Sequence, residues 1–563
     1  MFPLVRVTRT YKNLRRLRHI VNVLLKHGFG HLVEQMNLLP AVSLGRRLFL
    51  RKSHDREISR HTVPERLRVA FEELGPTFVK FGQLLSTRPD LVPANFSAEF
   101  HKLQDNVPPF PLSQVREVVE EELGAPLSVS FPMFDEIPRA AASIAQVHYA
   151  TLRSGEEVAV KIQRPGIQEL LETDIDLLFH LAELLERHVA EGETINAVGI
   201  VEEFSRTVHR ELDFNLEANH ARKFRENFAG DPRILIPKVY WQFTTRRLLT
   251  LQRVEGISID QLEVLREAGC DLKEISQNLL RVFFKMVLED GFFYADPHPG
   301  NFVVQSDNRI GVVDFGQVGY LDEDLIERLA IIFLALYQRD YKKLAQSYLE
   351  LVKASERTDQ QLFQNDLRDL LDPQYGRPLK EVRIGSMING SFQVALRHHI
   401  RLPNELVLLG KAMIGVEGLA RRLDEDLVIV ETVKPFATRI IDRRLDPRRR
   451  IKHTYRDILE LGMLGKQLPG QLSQALKKMI GDDMKIEFRH SRLENLIREI
   501  DKSSNRIAFS LIISALIVGS SLIVLSARAP LLFGFPVLGL IGFLLAGLLG
   551  LGVVFSILRS GKL

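Results

Sequence analysis

The rhythm of apolar and polar residues changes repeatedly along this chain, and each change marks a predicted element. Residues 1–30 interleave Leu, Ile and Val at helical spacing with Arg6, Arg9, Lys12, Arg15, Arg16, Arg18 and Lys26 and hold no acidic residue, which predicts a basic amphipathic helix. Pro64–Thr87 keeps apolar residues on one helical face, with a break at Gly75-Pro76. Alternation takes over at Ala145–Leu152 and Glu157–Gln163, predicting paired strands with Arg153-Ser154-Gly155-Glu156 as their turn. Helical spacing returns over Ile167–Val189 and Ala197–Phe228, and Leu248–Val254 reads as an edge strand entering a linker at Glu255-Gly256. From Leu272 the pattern is mostly helical, interrupted by strand-like runs at Phe302–Val304 and Ile310–Val313 and by a polar loop near Asp372–Pro378. Residues 434–505 mix charges over helix and loop, with a basic cluster at Arg439, Arg443, Arg444, Arg448, Arg449, Arg450 and Lys452. Two runs free of charge close the chain, Ile507–Ala527 and Ala529–Leu558.

Those closing runs decide the broad class. Crossing a hydrocarbon core takes about 20 apolar residues, and each run is long enough, with Arg528 the only charge between them. Arg528-Ala529-Pro530 supplies a tight connection, so a C-terminal transmembrane helical hairpin is expected. Lys502 and Arg506 before it, and Arg559 and Lys562 after it, predict that both ends face the cytoplasm. Ala515/Gly519 and Ala546/Gly550 are small pairs at i,i+4 that allow close helix approach. The basic N-terminal helix has two main readings, contact with anionic lipid or packing against the protein, and a third, an organellar targeting segment, that its poverty in Ser disfavours. At 563 residues, 45% hydrophobic and 26% charged, the chain should form two or three globular units. A net charge of +4 is too small at this length to argue for nucleic-acid binding. Cys270, alone, excludes an internal disulfide framework and a cysteine-rich zinc site and fits a reducing compartment.

Candidate chemistry sits in two short motifs. GFFYADPHPGN (291–301) places Asp296 five residues before Asn301, the D-x-x-x-x-N spacing of a protein-kinase catalytic loop, and GVVDFG (311–316) places Asp314 in the magnesium-binding Asp-Phe-Gly. Phosphoryl transfer needs a carboxylate facing the attacking hydroxyl or water, and an amide plus a second carboxylate to hold Mg²⁺ against nucleotide phosphates. Upstream, Val158-Ala159-Val160-Lys161 matches the strand whose lysine reaches the phosphates and pairs with a helix glutamate. Glu217 is the favoured partner of Lys161, with Glu211 and Asp213 freed for another task. Asp213 and Glu217 are one turn apart on a continuous helix, while Glu211 points elsewhere. Where a kinase carries G-x-G-x-x-G, this chain has Ala140-Ala141-Ala142-Ser143-Ile144-Ala145-Gln146, a stiffer nucleotide-covering loop because alanine restricts positive φ and close backbone approach. A β-rich lobe, a linker and a helical lobe in this order predict an α+β, two-lobed protein-kinase-like fold. The expected parts are a helical extension (1–130), an N-lobe (131–256), a C-lobe (257–433), a helical linker (434–505) and the hairpin (506–563).

These residues together resemble the UbiB-like atypical kinases that support ubiquinone biosynthesis, most like the bacterial branch. Lys80-Phe81-Gly82-Gln83 is similar to the family's K-x-G-Q, AAASIAQVH to its Ala-rich loop, and Glu211-Leu212-Asp213 to its E-x-D, beside ADPHPGN and DFG. The resemblance implies that the extension covers the peptide-acceptor side, with Lys80 and Gln83 projecting into the site and Lys80 pairing with Glu211 or Asp213. Gln252 departs from the pattern, standing where a hinge acid is expected.

The resemblance implies a membrane-anchored, Mg²⁺-dependent ATPase using ATP, or a kinase of a small lipid-soluble acceptor. A non-catalytic, nucleotide-responsive scaffold for a lipid-biosynthetic complex is the alternative. Lys161 would orient phosphates, Glu217 fix Lys161, Asp296 position the nucleophile, and Asn301 and Asp314 hold the metal. Expected partners are anionic membrane lipid, isoprenoid quinone precursors and quinone-biosynthesis enzymes. The expected location is the bacterial inner membrane with the kinase-like domain cytoplasmic, or alternatively the mitochondrial inner membrane.

Overall fold

The computed structural model describes residues 3–36, 38, 61–86, 88, 92–103, 108–188, 196–352, 359–374, 381–398, 400, 402–445, 493–525, 531–532 and 535–559. The chain divides into two compact units, residues 1–451 and 452–563.

In the first unit the alternating segments form a twisted antiparallel sheet. Strands β1 (Met133–Phe134), β3 (Ala145–Thr151), β4 (Glu157–Gln163) and β6 (Leu248–Gln252) lie in that order, with β2 (Ala140–Ala141) added beside β3. The period of two along β4 sends Val158, Val160 and Ile162 to one face, where they are fully buried. There they pack against Val115, Val118 and Val119 of the Leu112–Leu123 helix, with Phe131 and Tyr240. That helix lies against the sheet, although its residues fall within the expected extension. Lys161 occupies the opposite face, in register with Val147 of β3 and Leu249 of β6.

The expected single helix over Ala197–Phe228 is two helices. Ala197–Glu211 ends at Leu212, and Asp213 starts Phe214–Asn227 as its N-cap, accepting from Asn215 N at 3.0 Å. An aspartate carboxylate satisfies an amide left open at a helix start, so the chain breaks where this cap is available. The break also removes the shared face proposed for Asp213 and Glu217.

Pro64–Thr87 likewise forms two helices, Val63–Leu74 and Pro76–Ser86, joined at Gly75 with φ +96°. The N-terminal helix runs Pro3–Lys26. Its described side chains favour packing: Ile20, Val21 and Val23 are buried, and Arg16 grips the fully buried Asp174 through two bonds of 2.7 and 2.8 Å. Arg15 and Arg18 remain exposed.

The helical lobe is built around Leu272–Leu288, whose Ile275, Leu279, Phe283, Phe284 and Val287 are buried. Ser276 Oγ donates to Ala420 O at 2.8 Å, tying on the Asn404–Leu423 helix. The Ile429–Leu445 helix buries Val433, Phe436 and Ala437, so the expected boundary at 434 falls inside an element of this lobe. The rest of the expected linker up to 492 lies outside the described residues, as do Arg448, Arg449, Arg450, Lys452 and part of the polar loop at Asp372–Pro378.

In the second unit, helices Leu493–Leu525 and Val537–Arg559 touch through small residues. A Cβ on Gly539 would come 3.2 Å from Ser520 O, and one on Gly542 2.1 Å from Ser520 Oγ. Ser520 and Ala546 are buried, whereas Gly519 and Gly550 meet nothing within 4 Å. The close approach therefore uses Gly539, Gly542 and Ala546 rather than the pairs Ala515/Gly519 and Ala546/Gly550. Ile507–Leu525 is long and apolar enough to cross a membrane, and Val537–Gly552 is a shorter apolar helix among the described residues. The second run starts helix late because Leu531–Leu532 pair with Phe535–Pro536; Arg528-Ala529-Pro530 lies outside the described residues.

Candidate phosphoryl-transfer site

Two antiparallel strand pairs, Phe292–Tyr294 with Val318–Tyr320 and, between them in sequence, Phe302–Val304 with Ile310–Val312, bring the motifs together. Strand β8 (Phe292–Tyr294) delivers Asp296, and a turn at Pro299–Asn301 leads into β9 (Phe302–Val304). Phe302 pairs with Val312 of β10 (Ile310–Val312), and Val313 N donates to Asn301 O at 3.1 Å. That ladder sets Asn301 beside the start of Asp314-Phe315-Gly316. The turn is fixed by His298, whose Nδ1 accepts from Gly300 N at 3.1 Å. Asn301 Nδ2 donates to Asp296 O at 3.2 Å and to Asp296 Oδ2 at 3.4 Å.

Lys161 joins the lobes. Its Nζ lies 2.9 Å from each Glu217 carboxylate oxygen and 3.0 Å from Asp314 Oδ2. Glu217 also accepts from Phe315 N at 3.4 Å, and His220, one turn further, donates from Nδ1 to Phe315 O at 3.0 Å. One face of the Phe214–Asn227 helix thus carries both contacts. Burial alone would lower Lys161, but the carboxylates of Asp314 and Glu217 hold it protonated well above the usual lysine range. Burial pushes Glu217 upward against the pull of Lys161. Asp314 keeps 36% of its side-chain surface open, and there Lys161 and the Gly316 N–H outweigh burial and hold its carboxyl below the ordinary value.

Lys80 Nζ meets Glu211 Oε2 at 2.6 Å, while Asp213 is occupied in capping its helix. Lys80 also contributes to lowering Asp314, so the extension's charge is felt at the site. Gln83 donates to Leu103 O at 3.3 Å, a contact within the extension.

The Ala-rich segment is a tight hairpin: Ala140 pairs with Val147, Ala141 with Gln146, and Ala142 N donates to Ala145 O at 2.8 Å. Gln146 does not face the nucleotide side. Its strand register places it with Ile162 on the far face, where its amide exchanges bonds with Phe110 N (2.9 Å) and Phe110 O (3.2 Å). Ser143 Oγ, in the turn, is buried without a hydrogen-bond partner among the described residues. Gln252 Oε1 is turned along the strand edge to accept from Lys238 N at 3.3 Å.

Three neighbours had no signal in the sequence pattern. Tyr294 is buried two residues before Asp296, its hydroxyl pushed well above the ordinary value by burial and by Asp314 and Asp296. Lys411, from the Asn404–Leu423 helix, lies 3.4 Å from Asp296 Oδ1. Four residues on, a Cβ at Gly415 would fall 2.5 Å from Pro297 Cγ, so this helix sits directly on the catalytic loop.

The donor set can be tested against Mg²⁺ and ATP. Among the described residues no three His, Cys, Asp or Glu side chains cluster to hold a metal. Mg²⁺ commonly takes one or two protein oxygens and fills its remaining positions with phosphates and water. Asp314 with Asn301 suits that demand, and the orphaned Ser143 hydroxyl in the covering turn suits a phosphate oxygen. The residues fit a metal arriving with nucleotide rather than a resident ion.

Two lobes bridged by Lys161 and Asp314, with a lysine–glutamate pair on one side and an Asp…Asn loop beside Asp-Phe-Gly on the other, define a protein of the kinase-like class. Comparison with known proteins narrows this. Residues 102–348 match the ABC1 atypical kinase-like domain, 367–428 the UbiB helical domain, and 491–559 the ABC1/UbiB kinase-like C-terminal domain. A probable protein kinase UbiB from Marinobacter nauticus is 40% identical over 69% of this chain and 72% of its own length. Another from Pseudomonas aeruginosa is 35% identical over 85% of this chain and 91% of its own. A protein from the hydrogenase 1 5′ region of Clostridium pasteurianum, described as uncharacterized, is 33% identical over 97% of this chain and 99% of its own. The chain belongs to the ABC1/UbiB atypical-kinase family, on its bacterial UbiB-like branch.

Proposed function

We propose that this protein is a membrane-anchored, Mg²⁺-dependent ATPase of the UbiB type that supports isoprenoid quinone biosynthesis. The observation that carries the reading is Lys161 held between Glu217 and Asp314, with Asp296 and Asn301 bonded to one another in the adjoining loop. When bound, Mg²⁺ would neutralise phosphate charge, held by Asp314 and Asn301. Lys161 orients the phosphates, and Glu217 fixes its ammonium in place. The Ala-rich turn covers the nucleotide through Ala140–Ala145. Asp296 orients the attacking water and takes up its proton. Rate acceleration comes from positioning and charge neutralisation rather than from a covalent enzyme intermediate.

The names of the relatives support a role in ubiquinone biosynthesis, and the apolar Ile507–Leu525 helix supports an anchor in the bacterial inner membrane. In this reading it forms a hairpin with Val537–Arg559, and the exposed Arg15 and Arg18 rest on anionic lipid. Lys80, paired with Glu211, favours water or a small lipid-soluble acceptor over a peptide, because the extension reaches the site edge.

The test uses full-length protein in anionic liposomes, with phosphate release measured with and without phenolic isoprenoid quinone precursors. Asp296→Asn should bind MgATP normally and lose turnover. Unchanged hydrolysis in Asp296→Asn would remove Asp296 from the mechanism. Tight MgATP binding with no turnover in the wild type would instead support the scaffold, and label recovered in the precursor fraction a kinase.

A further inference from the structure

We propose that Lys411 is a further residue of this site, a cation brought by the Asn404–Leu423 helix to the γ-phosphate. The inference rests on the reading that MgATP occupies the cleft beside Asp296. The loop Asp296-Pro297-His298-Pro299-Gly300-Asn301 contains no lysine or arginine. Its histidine is spent on the turn, with Nδ1 accepting from Gly300. Lys161 is engaged by the carboxylates of Glu217 and Asp314. A transferred phosphoryl group that leans on Asp296 would therefore meet negative charge from that loop and no cationic side chain of the loop's own.

Lys411 supplies one. Its Nζ stands 3.4 Å from Asp296 Oδ1, and the side chain keeps 28% of its surface exposed, open to a ligand. The placement is built into the helix. Positions 411 and 415 share one face, and Gly415 abuts Pro297 so closely that a Cβ there would lie 2.5 Å from the ring. The glycine seats the helix on the loop, and the turn before it aims the ammonium at the loop's carboxylate. From the extension, His101 faces the same ammonium. Burial first, and Lys411 second, hold this imidazole below its ordinary pKa.

In the reaction the water oxygen bonds to the γ-phosphorus. The bond to the β,γ-bridging oxygen breaks with its electron pair leaving on ADP, and the water proton passes to Asp296. Lys411 forms no bond and transfers no proton. It balances the charge on the γ-phosphoryl oxygens and, in the resting cleft, rests on Asp296.

The experiment compares wild type, Lys411→Met and Lys411→Arg as full-length proteins in liposomes. Phosphate release gives turnover, and calorimetry gives affinities for MgADP and for the magnesium complex of a non-hydrolysable imido analogue of ATP. Lys411→Met should lose about 100-fold in kcat and about 10-fold in affinity for the triphosphate analogue, with MgADP affinity unchanged. Lys411→Arg should recover most of both. Equal weakening of both nucleotides, or turnover within about twofold of wild type, overturns the role of Lys411. Absence of turnover in the wild type overturns the phosphoryl-transfer reading itself, and this inference with it.

Discussion

Gly415→Ala is a one-carbon test of whether the Asn404–Leu423 helix sets the catalytic loop. The new Cβ would lie 2.5 Å from Pro297 Cγ, whereas ordinary contact begins at 3.4 Å, so about 0.9 Å must be found. The proline ring has no rotamer that swings aside, which leaves movement of the loop or of the helix. Overpacking of this kind costs about 1–3 kcal/mol. A displacement near 1 Å at a reacting group costs up to about 100-fold in rate. Gly418 provides the control, because it lies on the same helix and a Cβ there meets nothing within 4 Å. Gly418→Ala should raise stability by about 0.5–1 kcal/mol through helix propensity, with turnover unchanged. Thermal unfolding and phosphate release on the two variants give the answer. Gly415→Ala should melt lower and turn over at least tenfold more slowly, as roughly expected for a sub-ångström shift. Wild-type rate and melting point in Gly415→Ala would refute the idea that this helix holds Asp296 and Pro297 in place.

Arg16→Ala would leave Asp174 fully buried beside no guanidinium; the expected loss is about 3–5 kcal/mol, read as a lower melting temperature, and an unchanged melt would show that the N-terminal helix adds little to the fold. His220 and His148 are both pushed down by burial, against the hydrogen bonds each makes to a backbone carbonyl. The unfolded chain then takes up protons that the folded one refuses, so stability is full above about pH 6.5 and falls as pH drops through that value. His220→Gln should shallow the decline in melting temperature between about pH 7 and 5, and an undiminished slope would exclude His220 as a contributor.

The motifs were legible because their chemistry is local. Asp296, Asn301 and Asp314 lie within one short stretch of paired strands, and alternation along Glu157–Gln163 already puts Lys161 opposite Val158, Val160 and Ile162. Glu217, the partner favoured for Lys161, lies 2.9 Å from its ammonium through both oxygens, although the helix face it was expected to share with Asp213 does not exist. What escaped depended on partners distant in sequence. Helical spacing ran straight through Leu212-Asp213 because periodicity does not register a cap, so Asp213 was grouped with Glu217. Gln146 was placed with the phosphate-covering residues by adjacency, yet strand parity sends it to Phe110. Lys411 looks like any lysine on an amphipathic helix, and only the fold shows that Gly415 sets that helix against a proline more than a hundred residues earlier.

Asp314 has two claimants. While Lys161 holds Oδ2 and the Gly316 N–H holds Oδ1, both oxygens of the expected magnesium ligand are already engaged. A bare divalent ion would have to evict an ammonium that remains charged at any physiological pH, whereas an entering triphosphate would draw Lys161 away. Loading would then be an exchange of counter-ions, with the nucleotide freeing Asp314 for the metal, and magnesium without nucleotide should leave the resting protein unliganded.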